Sequence, residues 1–398
     1  MKRNLKIMYL INLLNEMKFY GIILVLYYIQ LSGSMTLGMS IFSIVTISTA
    51  ICEIPTGLLS DKVGRKNIII LGSICSLISV VVLALSTNYL GLLIAAIFQG
   101  LEKAFFSGNN SAFIYDILKE EKRENEFKNY IGKNNSMFYL AGVISSILGT
   151  VIVAFTSYKF VIVLSIIPKI IQFILSITLK NVRKYSKENE NIFKSMKEPI
   201  KKVFENKIIR KQVIADGMIG GIEEACFQFR TTFYETLWPT WAIGIPNLLA
   251  NLGAFISNWN GDKIIKKVGE KTIIIFSNIY DIISTCLAVL TNNVFSPIIM
   301  VSNSVIPADI AEEEIEQKYY SDEYRATMGS IKSLFESILF SIIAILVGVV
   351  ADRTSIAFTF IMFQLVKIVP IYIYLRIFRD MNNKTSRQLK KEETILLQ

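Results

Sequence analysis

The side chains in this sequence best able to do chemistry are carboxylates and ammonium groups set inside long apolar runs. Glu16 and Lys18 interrupt the run at about 8–31, Glu102 and Lys103 that at 89–113, and Asp216, Glu223 and Glu224 that at 208–232. An ionisable group at bilayer depth is costly unless it meets a partner or a polar cavity, so each is a candidate functional group. Glu102, Glu223 and Glu224, then Glu16, are the first choices for binding a solute or a coupling proton, which a positioned carboxylate can take up and release. Pairing of Glu16 and Glu102 with Lys18, Lys103 or each other is the structural alternative. Asn109, Asn110 and Gln228 are suited to hydrogen-bond a polar solute, and Phe19, Tyr20, Phe105, Phe106, Phe227 and Phe229 to stack on an amphipathic one. Bond-making chemistry lacks its usual parts. There is no histidine, which removes imidazole bases, histidine-bound metals and haem. Cys52, Cys75, Cys226 and Cys286 have neither paired nor metal-ligand spacing and read as packing residues. No phosphate-binding loop of the Lys-Ser/Thr type occurs. Neither an enzyme, a metal, a cofactor nor direct use of ATP is expected.

The elements that position these groups follow from hydropathy. Of 398 residues, 52% are apolar, and the mean hydropathy is +0.47, so most of the chain belongs in lipid. About 20 apolar residues cross a hydrocarbon layer of about 30 Å. Runs of that size fall at roughly 8–31, 36–59, 67–86, 89–113, 131–155, 158–180, 208–232, 238–260, 272–290, 294–311, 326–350 and 354–378. Met1-Lys2-Arg3 resembles the start of a signal peptide, but Glu16, Lys18 and the lack of a small-residue cleavage site make the first run a retained helix. Most lysines and arginines lie before the first run, in alternate loops (62–66, 119–133, 180–211, 263–271, 318–325) and after Arg376, whereas the other loops hold only Lys159 and Arg353. Twelve spans with that alternation put both termini in the cytoplasm. Trp238 and Trp241 beside an outer turn, and Trp259 near an inner helix end, suit interfacial anchors. A net charge of +10 calls for no nucleic-acid partner, because the basic residues punctuate apolar runs rather than share a soluble face.

The longest polar stretch divides the chain into a six-helix bundle at 1–180, a cytoplasmic linker at 181–207, a second bundle at 208–380 and a tail at 381–398. Within the linker, 192–197 and 203–204 would form either a short amphipathic helix on the inner leaflet or a solvated strap. Val63-Gly64-Arg65-Lys66-Asn67-Ile68-Ile69-Ile70 is echoed by Val268-Gly269-Glu270-Lys271-Thr272-Ile273-Ile274-Ile275, which suggests a duplicated bundle. Between the second and third runs the sequence reads Gly57-Leu58-Leu59-Ser60-Asp61-Lys62-Val63-Gly64-Arg65-Lys66. Gly57 permits close helix approach, Gly64 a tight reversal, and Asp61 suits a helix N-terminus or a guanidinium.

This stretch closely resembles the signature loop of the major facilitator superfamily (MFS). Glu53-Ile54-Pro55-Thr56, Ser107-Gly108 with Ala112 and Tyr115-Asp116, and Arg325-Ala326-Thr327 with Ser330 look like a bacterial twelve-span subgroup. The resemblance implies an all-α membrane protein of two six-helix bundles, in which spans one, four, seven and ten line the cavity. It also implies a conformational latch on the cytoplasmic side involving Glu53, Gly57, Asp61, Gly64, Arg65, Lys66 and Arg325. Two departures bear on mechanism: Ala96 stands where many proton-coupled members have an arginine, and Gly142 to Gly149 lacks the proline of many drug/proton antiporters. Lys169 and Lys367 occupy matching places in spans six and twelve, peripheral in the family, where a lysine snorkels or pairs with a neighbouring helix. Lys332 and Glu336 are spaced to pair on one helix face, and Asp281 has no evident partner. The expected function is secondary transport of a small organic solute by alternating access in the cell membrane, by a monomer in a lipid bilayer. Proton-coupled efflux of amphipathic or drug-like compounds leads, with uptake of a nutrient or peptide-like metabolite as the alternative and a non-transporting sensor on the same fold as the rival class.

Overall fold

The computed structural model describes residues 2–182, 207–319 and 325–379, and among them the secondary structure is helical with no strand. The amphipathic segment expected at 192–204, the tail from 381 and the side chains of Asp61, Trp259 and Arg325 lie outside the described residues. Nine helices among those described are long and apolar enough to cross a membrane. The runs expected as spans seven and eight are also helices, Lys207–Leu237 and Gly244–Val268, and the tenth is a broken series, Ser296–Met300, Ser302–Val305 and Ala308–Tyr319. Asp216, Glu223 and Glu224 dilute the first of these with charge, and the tenth is broken into pieces each shorter than a span.

On two helices burial runs opposite to that of a water-soluble fold. In the helix Ile166–Thr178, which we call α1, Ile167, Ile170, Ile171, Ile174 and Ile177 are exposed. On the opposite stripe Ser165, just before it, Lys169, Gln172 and Ser176 are buried. A helix that turns isoleucines outward and polar groups inward is suited to lipid on one side and a polar interior on the other. The last span repeats the arrangement, with Thr359, Gln364 and Lys367 buried and Leu365, Ile368, Val369 and Leu375 outward.

The chain forms two compact units. The first comprises 1–188, 227–251 and 341–356; the second comprises 189–226, 252–340 and 357–398. The C-terminal ends of the helices Lys207–Leu237 and Arg325–Arg353 belong to the first unit. There the Asp352 carboxylate accepts the backbone N–H groups of Met35 and Thr36 at 2.8 Å each, and the Thr36 hydroxyl at 2.6 Å. Those N–H groups open the helix Met35–Val63, so an acid from a distant part of the chain caps it beside its own Ser34. Ser43 donates to the Ser341 carbonyl (2.7 Å) and Tyr158 to Glu235 (3.0 Å).

The signature turn is fixed by backbone conformation. Gly64 has φ +87°, where an L side chain is strained, and its N–H closes the preceding helix onto the Ser60 carbonyl. Gly269 in the echoing segment has φ +88° and closes onto Ile265 in the same way, so the repeated sequence yields a repeated turn. The second unit packs around Ala215, Ile219, Ile274, Ile315, Ile377 and Phe378.

Candidate functional site

In the first unit the first span is broken. Its helix ends at Glu16, Lys18 leaves helical geometry (φ −108°, ψ 85°), and a short turn at Phe19–Ile23 leads into the helix Leu24–Ser32. A break at membrane depth frees backbone groups that must be satisfied within the protein. The side chains that do so come from spans five and six. Lys169 donates to the Asn15 carbonyl through a short contact, Ser145 to the Glu16 carbonyl at 3.4 Å, and Phe19 N–H to the Ser165 hydroxyl at 3.2 Å. Gln172 holds the Asn15 side chain at 3.0 Å, and Asn15 in turn donates to Glu16 Oε1 at 3.0 Å. Gly149 lets span five approach the Phe19 carbonyl so closely that a Cβ would overlap it.

Around this break stand four charges. Glu102 Oε1 is 3.6 Å from Lys169 Nζ and 3.8 Å from Lys18 Nζ, and Lys18 is 3.7 Å from Glu16 Oε2. These distances exceed a hydrogen bond, and Glu102 Oε1 has no hydrogen-bond partner although the residue is buried. Glu102 and Lys169 are sealed, while the side chains of Lys18 and Glu16 keep 16% and 24% of their surface exposed.

In the second unit Lys367, fully buried, is bound by two carboxylates: Glu223 Oε1 at 2.6 Å and Asp281 Oδ2 at 2.7 Å. Asn303 donates to the other Asp281 oxygen at 2.6 Å, while the Glu223 side chain is about half exposed (48%). A second cluster joins Asp216 to the Tyr374 hydroxyl by a short contact and to Lys332 at 3.5 Å, with Glu336 at 3.6 Å from the same lysine. The two units thus have opposite composition at their hearts: a carboxylate between two ammonium groups in the first, an ammonium between two carboxylates in the second.

The structure brings Glu16 and Glu102 together and puts Glu223 in the Lys367 cluster, while Glu224 is exposed on the next position of the same helix. Asn109 is engaged elsewhere: its amide accepts from Ser60 (2.8 Å) and donates to the Arg65 carbonyl (3.1 Å), so both ends hold the signature turn. Gln228 is half-buried. Of the expected latch residues, Arg65 binds Asp116 at 2.6 Å and Glu53 accepts from Ser107 at 2.7 Å, both within the first unit. Gly57 and Gly64 have open space where a Cβ would stand, and Lys66 is half-buried. Phe19, Tyr20, Phe105 and Phe229 are buried as packing; Phe227 is exposed, with the Arg230 guanidinium 4.0 Å from its ring centre. Lys169 and Lys367 do not snorkel: both are fully buried and paired, because carboxylates and carbonyls of neighbouring helices lie inward of them. The signal was present in α1, where Ser165, Lys169, Gln172 and Ser176 recur on one helical face among isoleucines.

Comparison with known proteins accords with this architecture. Residues 7–308 match the family model described as Major Facilitator Superfamily. An uncharacterized transporter of Buchnera aphidicola is 33% identical over 163 residues, 40% of each chain. An uncharacterized MFS-type transporter of Methanocaldococcus jannaschii is 31% identical over 84 residues, 21% of each. The chain thus matches about two fifths or less of the length of these curated relatives. Among solved structures, the nucleoside transporter NupG superposes with a TM-score of 0.79 at 13% identity, covering 94% of this chain and 99% of that one. A POT family transporter in complex with 5-aminolevulinic acid gives 0.72 at 15% identity, covering 94% and 95%. At such identities the likeness is one of fold. With the family model matched over most of its length, and with lipid-suited helices enclosing paired charges, this chain is a multi-pass membrane protein of the Major Facilitator Superfamily.

Proposed function

We propose that the chain is a proton-coupled secondary transporter of a small polar organic solute, working by alternating access in the cell membrane with both termini in the cytoplasm and two six-span repeats, 1–180 and 208–380. The observation that carries the proposal is the Lys367 cluster: one buried ammonium serves two carboxylates, Glu223 and Asp281. Two acids against one base leave a negative charge at membrane depth, which a proton or a cationic group of the solute neutralises. Asp281 is held by Asn303 and Lys367, whereas Glu223 is half exposed, so Glu223 is the member that exchanges. The burial of Phe19, Tyr20, Phe105 and Phe229 leaves Phe227 as the exposed aromatic of the group proposed to face an amphipathic cargo, so charge rather than stacking supports the choice of solute.

The test is flux in proteoliposomes under an imposed pH gradient, with its direction read from the sign of accumulation. Wild-type flux of a transported solute should follow the gradient, and Glu223→Gln should keep downhill exchange while losing accumulation. Gradient-driven accumulation by Glu223→Gln equal to wild type would remove Glu223 from coupling. No movement of any solute under any gradient by folded protein would remove the transporter reading and favour a sensor.

A further inference from the structure

We propose that the break in the first span is a binding site for a small zwitterionic solute, an amino-acid-like molecule whose carboxylate takes Lys18 and whose ammonium takes Glu16. The proposal rests on the transport reading and names its solute class. Three observations carry it. The break is built rather than accidental, since the backbone groups it frees at Asn15, Glu16 and Phe19 are each taken by a side chain from another span.

Next, the charged atoms facing each other across the break are unsaturated. Lys18 Nζ stands 3.7 Å from Glu16 Oε2 and 3.8 Å from Glu102 Oε1, beyond hydrogen-bond distance of both. Glu16 commits its other oxygen to Asn15, which leaves Oε2 to a ligand. Glu102 Oε1 lacks any hydrogen bond in a side chain that is almost wholly buried. An ammonium suspended between carboxylates without touching them is poised to be drawn to a better-placed partner. When Lys18 turns to a ligand, Glu102 keeps Lys169 at 3.6 Å.

Finally, the charges choose the class. Glu16, Glu102, Lys18 and Lys169 sum to zero, and Lys103, next along the chain from Glu102, is exposed outside the break. A simple anion or cation bound here would leave one charge unmatched at membrane depth, whereas a zwitterion leaves the sum unchanged. The accessible pair is Lys18 with Glu16, and the sealed pair is Glu102 with Lys169. The opposite charges of Lys18 and Glu16 lie close together, so the solute's own charges must be only a few bonds apart.

The experiment is thermal unfolding of the purified full chain with a panel of free α-amino acids, the amines that lack the carboxylate and the acids that lack the amine. At least one amino acid should raise Tm in a concentration-dependent way, and its amine and acid should not. Lys18→Gln and Glu16→Gln should each weaken that ligand about tenfold to a hundredfold, the loss of one charge-assisted hydrogen bond. The exchange Glu16→Lys with Lys18→Glu should recover part of the binding, which a merely structural role does not predict. The proposal is overturned if no amino acid shifts Tm, if the amine or acid alone shifts it as far as the parent, or if both single variants bind as wild type. Should the single variants fail to fold, the three ligand arms on wild type still decide. Gradient-driven flux of some other solute, with no amino acid bound, would discard this site and leave the transporter reading standing.

Discussion

Replacing Lys367 by Met removes the ammonium from between Glu223 and Asp281 while keeping the length of the side chain. Lys367 is fully buried and contacts the two carboxylates at 2.6 and 2.7 Å. Glu223 can turn to its exposed side, but Asp281 is largely buried and would retain only Asn303 at 2.6 Å. Removing one partner of a buried pair strands the other, at a cost of about 3–5 kcal/mol. Asp281→Asn is milder, since Lys367 then has Glu223 in a balanced one-to-one pair, and the lost charged hydrogen bond is worth about 1.5–3 kcal/mol. The double variant has no stranded acid at 281, so its loss should fall short of the sum of the single losses by about 2 kcal/mol. Reversible unfolding of the detergent-solubilised protein, run as a double-mutant cycle, measures each quantity. A loss below about 1 kcal/mol for Lys367→Met, or strict additivity in the cycle, would refute the assignment of Lys367 as the shared cation.

Two further outcomes concern backbone positions in the first unit. Asp352→Ala removes the acceptor of the Met35 and Thr36 N–H groups, and loss of an N-cap of about 1 kcal/mol should speed hydrogen exchange of those amides about fivefold; unchanged exchange would mean that Ser34 suffices. Gly64→Ala forces an L residue to φ +87° and ψ 148° and should destabilise the turn by about 1–3 kcal/mol, read as a lower Tm, whereas an equal Tm would show that the turn relaxes.

The helical plan was legible in the sequence because lipid imposes a length on every span. The turn at Gly64 and its echo at Gly269 were legible for a comparable reason, since few residues other than glycine accept that backbone. Partnership was harder to read. Glu16, Glu102 and Glu223 stood out as charges in apolar runs, but Lys169 and Lys367 looked peripheral and Asp281 looked alone. Pairing depends on which helix faces meet, and that is set by packing between spans far apart in sequence: Lys367 meets an acid in span seven and another in span nine. The polar amide of Asn109 suggests a ligand, whereas its place just after the interruption at Ser107 and Gly108 turns it toward Ser60 and the Arg65 carbonyl. The break at Lys18 was marked in the sequence only by Gly21 in the turn that follows, and the tertiary contacts of Asn15, Ser145 and Ser165 reveal it.

The order in which the paired charges occur along the chain bears on how the protein is made. Asn15 and Glu102, the partners of Lys169, precede it in the sequence. When span six leaves the ribosome its lysine therefore finds partners already synthesised, and the first cluster can close during translation. In the second unit the acids come first, and Lys367 lies in the last span. Glu223 and Asp281 must enter the bilayer with their shared cation still unmade, so the nascent chain passes through a stage in which two acids wait on span twelve. Closure of the second cluster thus waits for the helix that carries Lys367, and a chain shortened before Lys367 leaves Glu223 and Asp281 without their shared cation.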